Sequence, residues 1–233
     1  MNARDAQLYA RVAGVLLVVS LAAGGFGESY VPGKLMAAND PAEIARTMAV
    51  SVGLFRASFA SYLIEAMCDL ALTAIFYMLL RPVSRPLSLI ALCFGIGSTA
   101  IFATGEIFYF SAALPVIDAD VAKALTPDAR TALIYLGLTI YGYVFSIFAL
   151  LYGVAVMLRG YLIFRSGYLP RLLGALVMLA GAGFIIKNFI IVLMPQYDSM
   201  VMVLPMLLAM ASMAFWFVVK GVDRARWEQL QGV

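Results

Sequence analysis

The sequence predicts an all-α fold: an integral membrane bundle of six transmembrane helices, both termini in the cytoplasm, with short amphipathic helices in the external loops. Two observations predict it. Of the 233 residues, 64% are hydrophobic and 12% charged, whereas an ordinary soluble domain carries roughly 25% charged residues. There is too little polar surface to coat a soluble globule. Apolar runs also recur along the whole chain, and six of them reach the roughly 20 residues that a helix needs to cross a hydrocarbon core of about 30 Å. Each must be helical, because an open strand would leave backbone groups unpaired in lipid. No Ser/Gly-rich or charged linker divides the chain, so residues 1–233 read as a single transmembrane domain.

The first run, Leu8 to Gly27, follows Arg4 and Arg11. Basic residues before an apolar stretch that ends near Ala22, Ala23, Gly24 and Gly25 also describe a signal peptide, but the length of the stretch and the charge parity of six spans favour a membrane span. Asp40-Pro41-Ala42-Glu43 has the chemistry of a helix start: a capping side chain, a proline in the first turn and an acid three residues after the cap. The segment Ile44 to Val52 is expected along the outer surface, feeding the second span, Leu54 to Leu80. The third span is Leu87 to Leu114. Thr126-Pro127-Asp128 opens the fourth helix, with Asp128 favourable near the positive end of its dipole, and the fourth span runs from Ala132 to Leu158. Leu172 to Leu193 and Met200 to Val219 complete the six. The two three-helix halves show no internal repeat.

Orientation follows from the flanking charges. With six spans threaded, Arg4, Arg11, Arg81, Arg85, Arg159, Arg165, Arg171, Lys220, Arg224 and Arg226 fall on one side. The other holds Lys34, Arg46, Arg56, Lys123 and Arg130 with the acids Glu28, Asp40, Glu43, Asp118, Asp120, Asp128 and Asp198. The basic side is the cytoplasmic one, which fits the inner membrane of a bacterium with membrane lipid as the partner. The formal charge is only +3 and no basic block occurs, so no nucleic-acid partner is expected. Histidine is absent. That removes the usual ligand of haem or catalytic zinc and the usual base beside a serine nucleophile, and no cofactor or metal is expected. Cys68 and Cys93 fall inside apolar runs, where they pack as small hydrophobes.

A charge near the bilayer centre costs about 2.5–3.5 kcal/mol on insertion scales, so each needs a partner, a cavity or a reason. Glu65, Asp69, Glu106 and Lys187 are the candidates. Glu65 and Asp69 lie within roughly 5 Å of mid-membrane, and Glu106 and Lys187 roughly 7–11 Å toward the outside, counting 1.5 Å per residue. All four are expected in one acidic layer open to the external half. Glu65 and Asp69 are four apart and share a helix face with Tyr62 nearby; Asn188 adjoins Lys187, and Arg56 and Glu28 stand near the outer end of the layer. Two readings compete: a site for a small solute, an ion or a proton, and a structural ion-pair network locking helices. A third, a lipid-modifying enzyme using carboxylates as acid and base, is the enzymatic alternative.

Other features are read as structure. Tyr135, Tyr141, Tyr143 and Tyr152 decorate the fourth helix, where packing and interface anchoring are the ordinary roles, although they could line the same layer. Gly95, Gly97, Gly174, Gly181 and Gly183 permit close helix contact rather than cradling phosphate, since no Walker-type or dinucleotide pattern surrounds them. Ser98 lacks the nucleophile-elbow pattern and has no histidine to activate it. A Schiff base on Lys187 with a retinal-like chromophore is disfavoured by six spans and by a lysine outside the last helix.

Particular residues carry a resemblance. The stretch Gly160-Tyr161-Leu162-Ile163-Phe164-Arg165-Ser166-Gly167-Tyr168-Leu169-Pro170-Arg171-Leu172-Leu173-Gly174, with Ala10-Arg11-Val12-Ala13-Gly14 and with Asp69 through Leu79-Leu80-Arg81-Pro82-Val83, resembles a signature of the bacterial domain-of-unknown-function family 4386. The resemblance covers nearly the whole chain in order. It implies a multi-pass bacterial membrane protein and adds nothing on mechanism.

Overall fold

The structure, a computed structural model, describes residues 1–36, 40–197, 199 and 203–231. Among these the chain is all helical, without a strand. Helix α1 (Ala3–Gly24) passes without a break through a π-helical turn, Gly25–Tyr30, into α2 (Val31–Leu35), and α3 (Pro41–Val50) precedes α4 (Val52–Leu80). Then follow α5 (Arg85–Ile117), α6 (Ala119–Ala124), α7 (Pro127–Ser166), α8 (Arg171–Leu193), a 3-10 turn at Pro195–Tyr197, α9 (Leu204–Val219) and α10 (Arg224–Gln231).

Five stretches are long and apolar enough to cross a membrane: Ala3–Leu35, Val52–Leu80, Arg85–Ile117, Pro127–Ser166 and Arg171–Leu193. A sixth is reached only if α9 and α10, bent by 95° at their junction, are taken as one span. The expected beginning of that span at Met200, and the acid Asp198, lie outside the described residues. What is described of α9 has 16 residues, about 24 Å of helix.

Local chemistry sets the helix ends. The Asp40 side chain accepts a hydrogen bond from the Ala42 amide at 3.0 Å, with Pro41 in the first turn, as the sequence predicts. Ser51 then leaves helical geometry, so α3 is a separate helix rather than a run-up to α4. Thr126 Oγ1 accepts from the Ala129 amide at 3.3 Å, again as expected. Asp118 does the same for α6, accepting from Asp120 and Val121. Helix α7 stops where Gly167 takes φ +73° and Pro170 follows, the arrangement in which a glycine ends a helix and a proline prevents its resumption. Its 40 residues make about 60 Å of helix, twice the thickness of a hydrocarbon core. It overruns the expected end at Leu158 because Arg159 interrupts the apolar run without interrupting the helix.

The chain packs as two compact units. The first holds residues 1–21, 67–99 and 146–233, the second residues 22–66 and 100–145. In the first unit, Leu72, Phe76, Leu79, Val177, Met210 and Phe217 belong to one buried core. There α7 and α8 approach backbone to backbone. A methyl group placed on Gly160 would stand 2.5 Å from the Met178 nitrogen, and one on Gly174 2.4 Å from the Phe164 nitrogen. One on Gly181 would stand 2.5 Å from the Met157 nitrogen, and one on Gly153 3.0 Å from the Gly181 carbonyl. These glycines recur every seven residues on both helices, so one stripe of each antiparallel partner is bare, which is how helices approach closely where lipid supplies no hydrophobic drive.

The two ends of the chain meet in this unit. Gly221, at φ +71°, turns the chain after α9. The Gln7 side chain donates to the Lys220 carbonyl at 2.8 Å and accepts from the Val222 amide at 2.9 Å. Trp227 on α10 is 1% exposed, stands edge-on to Tyr168 at 4.9 Å and donates to the Met1 carbonyl at 3.4 Å. Tyr168 donates its hydroxyl to the Leu79 carbonyl, and burial pushes that phenol above its ordinary value. Part of the signature stretch, Gly167 to Pro170, is thus the seat of the C-terminal helix.

In the second unit Phe55, Tyr62, Phe102, Tyr109 and Ile134 are fully buried. Phe55 stacks on Tyr109 at 4.8 Å, and Tyr62 meets Tyr109 edge-on at 5.1 Å. The π-helical turn lies against α4: the Gly27 carbonyl accepts from Tyr62 at 2.8 Å and from Ser58 at 3.2 Å. A π turn widens the helix and takes its carbonyls off the regular ladder, and here side chains of α4 take up the Gly27 oxygen.

Candidate functional site

The residues singled out by sequence divide between the two units. Glu28, Arg56, Tyr62, Glu65 and Glu106 belong to the second unit, Asp69, Lys187 and Asn188 to the first.

In the second unit Glu28 and Glu106 lie near a group of tyrosines. Glu106, on α5, is 2% exposed, and neither of its carboxylate oxygens makes a hydrogen bond of ordinary geometry. The Tyr141 hydroxyl of α7 lies beside it, and Glu28, from the π turn, is close enough to act on it electrostatically. Glu65 packs its carboxylate on the bare backbone of α1, where a methyl group on Gly24 would stand 2.7 Å from Oε1. The hydroxyls of Tyr109 and Tyr141 lie within hydrogen-bonding reach of Tyr62, and Tyr109 also meets Ser58 Oγ at 3.2 Å. Arg56 is exposed.

In the first unit Asp69 is 8% exposed and accepts from Ser20 Oγ at 3.0 Å. Arg159 is 5% exposed and donates from Nη2 to Thr73 Oγ1 at 2.8 Å. Its guanidinium also lies 5.3 Å from the centre of the Phe76 ring. Asp69 and Thr73 are one turn apart on α4, and both, with Arg159 and Tyr152, line one small cavity with room for about one water molecule. Gly95 was expected to serve helix contact; its bare face instead admits the guanidinium, since a methyl group there would stand 2.4 Å from Arg159 Nη2. Asn188 donates to the Phe184 carbonyl of its own helix at 2.8 Å, and Lys187 is half-buried.

Sequence reasoning missed Arg159, counting it among the charges that flank a span. A signal was present: Tyr161, Leu162, Ile163 and Phe164 follow it with no charge between, so the apolar run resumes past the arginine. It also missed Tyr109, Ser20 and Thr73, whose types are common inside membrane helices and carry no mark until a partner is seen. Of the four tyrosines noted on α7, Tyr141 and Tyr152 reach the two clusters, while Tyr135 and Tyr143 are exposed and fit interface anchoring. Among the described residues no group of three or more acidic or cysteine side chains is placed to hold a metal ion.

Comparison with curated proteins and with solved structures gives no match. The model of the domain of unknown function DUF4386 matches residues 12–221, which takes in most of the first span, the buried polar residues of both units and the whole stretch Gly160 to Gly174. The chain belongs to the DUF4386 family.

Proposed function

We propose that this is a multi-pass protein of a bacterial inner membrane, with both termini in the cytoplasm, that binds and passes a small solute or proton at the acidic layer of the second unit, marked by Glu65 and Glu106. Glu106 carries the reading: a carboxylate almost wholly buried in an apolar helix, with no hydrogen bond of ordinary geometry to either oxygen and the Tyr141 hydroxyl beside it. Such a group is costly in a membrane and by default marks a pathway or binding site. The topology draws support from the first unit, where Met1, Leu79, Tyr168 and Trp227 gather at one end. An even number of crossings between Met1 and Trp227 accounts for that meeting.

Thermal unfolding of the detergent-purified protein tests the reading. A ligand that binds only the folded state at 100 times its Kd adds about 2.7 kcal/mol of stability. Raising the concentration of the ligand, proton or solute, should raise the midpoint of the wild type and leave Glu106→Gln unmoved. A wild type and variant that respond alike to every solute and pH would sink it.

A structural role is the second reading, and Asp69 favours it. Its carboxylate has the Ser20 hydroxyl, and Arg159 is held across a cavity too small for a solute. On this reading the first-unit cluster joins α1, α4 and α7 and carries no ligand.

A further inference from the structure

We infer that the occupant of the second-unit acidic layer is the proton itself, held on Glu106 and shared with the Tyr141 hydroxyl, and not a solute or metal ion. The inference rests on the reading of that layer as a binding site and names what it binds. At three points around the layer the packing is close. Around the layer a methyl group on Gly27 would stand 2.4 Å from Ser61 Oγ and one on Gly24 2.7 Å from Glu65 Oε1. One on Gly105, the neighbour of Glu106, would stand 3.1 Å from Val144. Each is at or inside the closest approach of carbon to its neighbours, so at these three glycines the helices are in direct contact and leave no gap for a bound molecule. A metal ion would need several oxygens converging on one point, and among the described residues the acids do not converge in that way.

A proton needs only an oxygen and a neighbour to exchange with. Groups facing Glu106 come from three other elements: Glu28 from the π turn, Tyr62 from α4 and Tyr141 from α7, with Tyr109 one turn along on α5 itself. Binding is a simple transfer. One O–H bond breaks in a hydronium ion, one forms on a Glu106 oxygen, a water molecule is released and no electron moves. Once protonated, Glu106 can donate to the Tyr141 hydroxyl as well as accept from it, so the proton can be shared along that contact.

Infrared difference spectra of the purified protein between two pH values test this, read at the protonated-carboxyl stretch. Glu106→Gln should lose a band that the wild type gains on acidification. Tyr141→Phe should keep the band and shift its frequency, because the hydroxyl partner is gone, while Tyr143→Phe, on an exposed side chain, should leave it in place. A spectrum unchanged in Glu106→Gln overturns the assignment, and so does a frequency untouched in Tyr141→Phe. If sodium, potassium or tetramethylammonium ions displace the titration of the Glu106 band, the site holds a solute: the layer remains a binding site and the proton is the wrong occupant. Thermal midpoints close to wild type show that the variants are folded. Should Glu106→Gln not fold, the frequency shift in Tyr141→Phe and the cation series still decide the question.

Discussion

A guanidinium with 5% exposure, as Arg159 has, has left water, and something must replace its hydration. Thr73 supplies one acceptor, the Phe76 ring a face, and Asp69 a negative charge across a cavity of about one water. Breaking a buried pair by removing one partner costs about 3–5 kcal/mol, because the other charge stays buried and unpaired. Arg159→Met should therefore lower the stability of the purified protein by about that much. The combination with Asp69→Asn should cost less than the sum of the singles, by about 0.5–3 kcal/mol. A double-mutant cycle of unfolding free energies in detergent measures this, and strict additivity would show that the two charges do not feel each other. The sequence made Asp69 visible and hid Arg159 for one physical reason. A lone acid in the middle of an apolar run has no ordinary explanation, whereas an arginine seven residues from a helix end has one, as a topology signal. Glu106 was legible on the same ground as Asp69. The hydroxyls around it were not, since a tyrosine or serine in a membrane helix is unremarkable until its partner is known.

Helices and their starts were the most legible, because capping is local: Asp40 and Thr126 act on amides two and three residues away. Events that depend on a distant partner were invisible. The π turn at Gly25–Tyr30 owes its stability to Tyr62 and Ser58, more than 30 residues on. Helix α10, polar in sequence, is set in place by Gln7 and Tyr168 from the far end of the chain and from the α7–α8 connection. The glycine stripe lies between. Gly174 and Gly181 were expected to permit helix contact and do so against α7, and Gly183 meets Met206, whereas Gly97 has open space around it. The difference gives a matched pair of substitutions. Gly174→Leu should lower the unfolding free energy by at least the roughly 1–3 kcal/mol of an overpacked core, since its first carbon would collide with the Phe164 backbone. Gly97→Ala should be neutral or stabilising by up to about 1 kcal/mol, the helix preference of alanine over glycine. Equal behaviour of the two would mean that α7 and α8 do not touch along this stripe.

Membrane topology is the property of the whole molecule that sequence and structure approach from different sides. Charge counting uses the flanks alone. Without Arg159, which is buried, nine basic residues remain on the side taken as cytoplasmic against five on the other, so the asymmetry survives. Contacts within the first unit use no charge at all, yet they bring Met1, Leu79, Tyr168 and Trp227 to one end. Helix α9 is where the two approaches meet: among the described residues five helices are long and apolar enough to cross by themselves, and the sixth crossing rests on α9 with the bend of 95° before α10. Reporter fusions after Arg85, Arg165 and Arg226 should all read cytoplasmic, and fusions near Asp40, Ala122 and Gln196 should all read external. The informative comparison is Arg165 with Arg226. If α8 and α9 both cross, the two agree; if α9 turns back at the surface, Arg226 reads external while Arg165 stays inside. That result would require the Trp227 and Tyr168 contact to be wrong, because a side chain cannot pack on a loop that lies across the bilayer from it. A C-terminus found outside would therefore overturn the six-span reading and the docking of α10 together, and a C-terminus found inside supports both.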